Sequence, residues 1–112
     1  MNRSGNSEIK CRTSERFVSD DDDERHVSIK KLVLDVYKLK NPPIYELATI
    51  LAENVSSIKR VIFERVETDE NTEVVKLVVE GPDLDLYDIM DELKKYGATV
   101  RSVDLVEAVV ED

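Results

Sequence analysis

The fold this sequence predicts is an α+β sandwich in which two helices lie on one face of a four-stranded antiparallel sheet. Three observations predict it. Four runs alternate between apolar and polar residues or are dense in β-branched ones, and two runs repeat apolar residues at helical spacing. They follow one another as strand, helix, strand, strand, helix, strand. Only the junction between the second and third strands is short enough to force a hairpin, so each half of the chain is a β-α-β unit with a right-handed crossover. This is the ferredoxin-like βαββαβ sandwich, with the first and third strands central.

The first strand is VSIKKLVLDVYKL, from Val27, where Leu32, Leu34 and Val36 face one way and Val33, Asp35 and Tyr37 the other. Asn41-Pro42-Pro43 breaks it, and Pro43 suits the first helical position because its fixed φ fits a helix and its missing N–H would have been unpaired. Ile44, Leu47, Ala48, Leu51 and Val55 then form one apolar stripe that ends at Ser56-Ser57. IKRVIFERVET is the second strand, with Val61 and Phe63 on one face and Ile62 and Val66 on the other. The polar stretch Thr68 to Glu73 is the turn, and VVKLVVEG completes the hairpin.

The stretch EGPDLDLYDI sets Asp83, Asp85 and Asp88 close together and has two readings, a cation loop or a helix start. A calcium loop needs more oxygen ligands converging from a longer loop, with glycine at its sharp turn. Here Gly81 precedes the acids and apolar residues begin at Leu84. The helix start accounts for more. Asp85 is placed as N-cap, Asp88 at the capping-box position, and Leu84 with Ile89 as the hydrophobic staple. Leu86, Ile89, Met90, Leu93 and Tyr96 carry the helix onward, Lys94 and Lys95 favour its negative end, and Gly97 supplies a left-handed stop. ATVRSVDLVEAVV is the last strand.

The chain has 112 residues, enough for one small domain. Residues 1–27 are polar and charged, so they are read as a disordered acidic tail, with residues 28–112 as the domain. The acidic run Asp20-Asp21-Asp22-Asp23-Glu24 reads as a solvated spacer, and His26 follows it without partners for catalysis or metal binding. The net charge is −9, of which the tail carries −2. An acidic domain repels phosphate backbones, which argues against nucleic acid or an anionic membrane as partner. The lone Cys11 excludes an internal disulfide, and the N-terminus shows no apolar core of a signal peptide, so a cytoplasmic location is expected.

The strands carry more apolar surface than a sheet with one wet face needs. Val33 and Tyr37, Ile62 and Val66, both faces of the third strand, and Val100, Val103, Leu105, Val106 and Val109 are the surplus. The helix-free face or the sheet edges are therefore expected to be buried against further copies of the chain. No serine or cysteine pairs with a base in a familiar pattern, and three glycines form no phosphate loop, so an enzyme is the less favoured class. Carboxylates remain. Asp35, Glu67 and Asp104 lie in or beside apolar strand surroundings, where a charge needs a partner. They are the candidate metal ligands, with calcium or magnesium as the ion. Cross-strand pairing with Lys31, Lys76 or Arg101 is the simpler alternative.

Across residues 29–110 the chain resembles the archaeal "domain of unknown function 211" family, through the motifs LDVYKLKNPPI, EGPDLDLYDI and YGATVRSVD. The resemblance implies a small ferredoxin-like archaeal protein that assembles into rings or similar multi-subunit forms, with no assigned activity. By motif position it matches Asp35, Glu67, Asp83, Asp85 and Asp104 to acids of the family and makes metal binding a family-level expectation. The extension through His26 departs from the pattern, as a lineage-specific arm or a start site placed upstream. The resulting expectation is a homo-oligomeric binding or structural module. One rival is a ligand-sensing regulatory domain of the amino-acid-binding kind, and another is a metal-dependent enzyme using the sheet carboxylates.

Overall fold

The structure, a computed structural model, describes residues 26–111. Residues 1–25 of the expected acidic tail, with Cys11 and the run Asp20 to Glu24, lie outside the described residues. The elements are β1 (His26–Leu39), α1 (Ile44–Asn54), β2 (Arg60–Thr68), β3 (Thr72–Glu80), α2 (Leu86–Lys94) and β4 (Ala98–Glu111). The sheet order is β2-β3-β1-β4 with every pairing antiparallel, so β1 and β3 are central as the crossover argument requires. β1 begins at His26, whose Cα partner is Glu111. His26 and Val27 thus belong to the strand and not to the tail, because β4 runs long enough to pair them.

The two-residue alternation on β1 decides which face is covered. Leu32, Leu34 and Val36 are buried, as are Val75, Leu77 and Val79 opposite them on β3. Leu47 and Leu51 of α1 and Ile89 and Leu93 of α2 close over these rows, and all four are fully buried. Each such side chain contributes about 1.5–3 kcal/mol on burial. Glu92 joins the helices: its carboxylate accepts from Asn54 Nδ2 at 2.8 Å and pairs with Lys95 at 3.2 Å.

Local chemistry places the helix ends. Pro43 is the N-cap and not the first helical residue; its backbone is extended, and its carbonyl accepts from Leu47 N at 2.9 Å. Asp85 caps α2, its carboxylate accepting from the backbone N–H of Tyr87 at 3.1 Å and of Asp88 at 3.4 Å. Leu84 and Ile89, the expected staple, are both buried in the core. Gly97 follows α2 with φ 75°, the left-handed value that glycine adopts without strain. Gly81 ends β3 under a different constraint, since a Cβ there would run into the Ser57 carbonyl oxygen.

The strands are unequal, and this shapes the surface. β1 and β4 each have 14 residues, whereas β2 and β3 have nine. β3 stops opposite Lys31, so His26 to Ile29 pair with β4 alone. Beyond Val100 the helices no longer cover β4, and Val103, Leu105, Val106 and Val110 are exposed, Val106 at 53%. Among the described residues, no helix is long and apolar enough to cross a membrane.

Replacing Asp85 with alanine removes one oxygen that satisfies two amide donors. The expected cost is about 1 kcal/mol, seen as a Tm lower by about 5 °C for a domain of this size. Asp85→Ser should retain most of the stability in the same thermal melt.

Candidate functional site

Chaining the strand registers shows what the helix-free face is made of. Arg60, Glu80, Lys31 and Glu107 stand in one row across β2, β3, β1 and β4. Ile62, Val78, Val33 and Leu105 form the next row on that face, and Glu64, Lys76, Asp35 and Ser102 the one after. Glu67, Val74, Tyr37 and Thr99 follow. The face is therefore banded, with a fully apolar row between two charged ones.

The three candidate metal ligands sit on or beside this face without converging. Asp35 is held by Arg101, whose Nη2 and Nε lie 2.8 and 3.1 Å from Oδ2. Arg101 also lies over the Tyr37 ring, 5.9 Å from its centroid. Asp104 falls where the β1–β4 register slips, and its carboxylate accepts from the Ser102 hydroxyl at 2.8 Å. Glu67 follows the bulge on β2 and, with Tyr37, Asp69, Glu73 and Arg101, lines an open cleft of about 310 Å³. Among the described residues no three histidine, cysteine or acidic side chains gather to hold a metal ion. Asp35 takes the cross-strand partner that was its simpler reading. Asp83 is exposed in the loop before α2, and Asp85 is spent on the cap.

The most buried charges lie elsewhere, at the end of the core rows. Lys38 continues the phase of Leu34 and Val36, is fully buried, and stands opposite Glu73, itself 5% exposed. Lys38 Nζ lies 2.7 Å from Glu73 Oε2 and donates to the Leu39 carbonyl at 2.7 Å. Arg65 Nε reaches Glu73 Oε1 at 3.1 Å. Burial by itself raises the Glu73 pKa, but the hydrogen bond and charge of Lys38, helped by those of Arg65, outweigh it and hold the carboxyl below the ordinary glutamate value. The hydrogen bond from Asn54 is the main cause of the same direction at Glu92, and Lys30 is the cause at Glu111. The sequence alone does not reveal the buried pair, because Glu73 reads as part of the polar turn. The signal for it was the parity of Lys38, which shares the core phase.

A model of the family described as "Uncharacterized ArCR", DUF211, matches residues 30–111. The chain belongs to the DUF211 family. The match covers both helices and all but the first four residues of β1, so it takes in every site discussed above. The uncharacterized protein MJ0319 of Methanocaldococcus jannaschii is 36% identical over 80 residues, which span 71% of this chain and 81% of that one. The DUF211 resemblance and its archaeal setting among relatives thus stand on a match across the whole sandwich.

Because Glu73 has a lowered pKa when folded, its contribution is fully present above the unfolded glutamate value of about 4.3 and is lost as pH falls through the folded value. Glu73→Gln leaves Lys38 buried without its main counterion, at an expected cost of about 3 kcal/mol near neutrality. Chemical denaturation across pH checks this: the wild-type and Glu73→Gln stabilities should converge as pH drops below about 4.

Proposed function

We propose that this DUF211 chain is a self-assembling module with a binding or structural role, built to associate with its own copies and not to turn over a substrate. The observation that carries the reading is β4. It is an edge strand of 14 residues, and Val103, Leu105, Val106 and Val110 are exposed along it. A long apolar edge presents unpaired backbone groups together with oily side chains, and monomeric proteins ordinarily blunt such edges with charge, proline or a covering element. Both edges carry charge and irregularity: β2 has Arg60, Glu64, Arg65 and Glu67 with one bulge, and β4 has Arg101, Asp104, Glu107 and Glu111 with register slips at Arg101 and Asp104. What favours β4 as the associating edge is its length, 14 residues against nine, and its four exposed aliphatic side chains against Ile62 and Val66 on β2. The acidic surface suits such a module, keeping assembled copies soluble and away from polyanions.

A divalent cation enters this reading as an ion shared between copies. Glu67 and Asp104 have no cationic partner among the described residues, and each lies beside a register irregularity near an edge of the sheet. A second copy would supply the oxygens that one chain does not bring together, with Asp35 as a further ligand if Arg101 released it.

Sedimentation velocity at micromolar concentration should give a mass several times that of the 12.8 kDa chain, and Val106→Lys should shift it toward the monomer. A wild-type chain sedimenting as a monodisperse monomer would overturn the reading. Calorimetric titration with calcium or magnesium should show binding to the assembled chain that Asp104→Asn weakens; no heat and an unchanged Tm would remove the cation.

A further inference from the structure

We infer that the helix-free face of the sheet is a second self-association surface, packing face to face on the same face of another copy about an in-plane two-fold axis. The inference rests on the reading that the chain self-associates and names a surface, an occupant and a charge code for it. Its basis is the banding of that face. The central row, Ile62, Val78, Val33 and Leu105, is apolar on all four strands, with Ile62 40% and Leu105 45% exposed and the other two half-buried. Neither helix covers this row, since both pack on the other side of the sheet.

The charges on either side carry the argument further. From β2 to β4 the first charged row reads Arg60, Glu80, Lys31, Glu107, alternating plus and minus. The row across the apolar band reads Glu64, Lys76, Asp35, followed by Arg101, which reaches Asp35 from beside Ser102. Its alternation is inverted. On β2, β3 and β1 the sign changes on crossing the apolar row, and on β4 Arg101, the residue next to the in-register Ser102, supplies the change from Glu107.

Alternation within a row is explained by cross-strand pairing inside one chain, which favours opposite charges on facing positions. The inversion between rows is not required by that rule. It is what self-complementarity about an axis along the apolar row needs, whereas about an axis along the strands the alternation within each row is enough. With the axis along the apolar row, the partner's second charged row lies over the first, so Arg60 meets Glu64, Glu80 meets Lys76, Lys31 meets Asp35 and Glu107 meets Arg101. With the axis along the strands, β2 lies over the partner's β4 and β3 over its β1, and Arg60 meets Glu107, Glu80 meets Lys31 and Lys76 meets Asp35. Either in-plane two-fold matches unlike charges everywhere and stacks the apolar row on itself. A closed two-fold contact of this kind uses one patch twice, and aligned sheets pack in this manner at about 10 Å. Among the described residues the first charged row forms no ion pair.

The test separates this surface from self-association in general. Ile62→Glu with Leu105→Glu places charge in the apolar row at two exposed positions, and Lys76→Glu reverses one member of a charged row without touching the core. Sedimentation equilibrium on the full chain should show the dissociation constant of the contact rising about tenfold or more for each. A second reversal in the Lys76→Glu background should restore association: Glu80→Lys if the axis follows the apolar row, Asp35→Lys if it follows the strands. Circular dichroism checks folding, and if the double glutamate variant unfolds, the solvent-exposed Lys76→Glu arm decides. The proposal is overturned if Lys76→Glu leaves an assembled chain's dissociation constant unchanged, or if neither second reversal restores it. In those cases Val106→Lys still reports on the edge, so the self-assembly reading survives independently. A wild-type monomer overturns both.

Discussion

Two short helices can cover only one side of a four-stranded sheet, and the rest of this molecule follows from which side that is. The choice is made on β1 and β3, where residues of one parity meet α1 and α2 and residues of the other parity do not. Leu32, Leu34 and Val36, with Val75, Leu77 and Val79, commit that parity to the core. A slip of one residue would exchange the two faces, putting Asp35 and Lys76 under the helices, so the register is held by the full hydrophobic term. Because the helices are 11 and nine residues long, they also fix how far the cover extends. β1 and β4 continue past it, and the exposed valines of β4 are the consequence.

At the far end of the covered rows, the core parity runs into charge. Lys38 occupies the position where another aliphatic residue would fit, and Glu73 answers it from β3. A buried pair of this kind adds little net stability compared with a well-packed apolar pair, because both charges are desolvated. What it imposes is register. Moving β3 relative to β1 would separate Lys38 from Glu73 and strand both, so the pair penalises misalignment of the central strands next to the β2–β3 turn. Arg65 extends the same constraint to β2 across its bulge.

On the other face the same alternation gives a different result. There the positions between core residues are neither uniformly polar nor uniformly apolar but arranged in rows that cross the strands. A row is invisible along the chain because its members come from four strands, as far apart as Lys31 and Glu107. Most of its charges are ordinary cross-strand neighbours, and their ordering relative to the apolar band is the feature that intramolecular stability does not demand. Together with the long β4 edge, it underlies the self-association proposed for this small acidic DUF211 domain.

Element type, element order and the cap on α2 were legible in the residues because each is local. Alternation on β1, the helical stripe from Ile44 and the Asp85 cap with Gly97 beyond are all read within a dozen positions. The placement of His26 was not, because its strand character depends on Glu111 lying opposite. Nor was the fate of the acids. Asp35, Glu67 and Asp104 look alike as carboxylates among apolar neighbours, and only the fold brings Arg101 to Asp35, Ser102 to Asp104 and open solvent to Glu67. By itself the sequence determined the sandwich, its central strands and its surplus of apolar surface, since periodicity and short-range stereochemistry suffice for these. Tertiary structure alone decided the Lys38–Glu73 pair, the reach of the helices over β4 and the banding of the helix-free face, because each depends on register between strands distant along the chain.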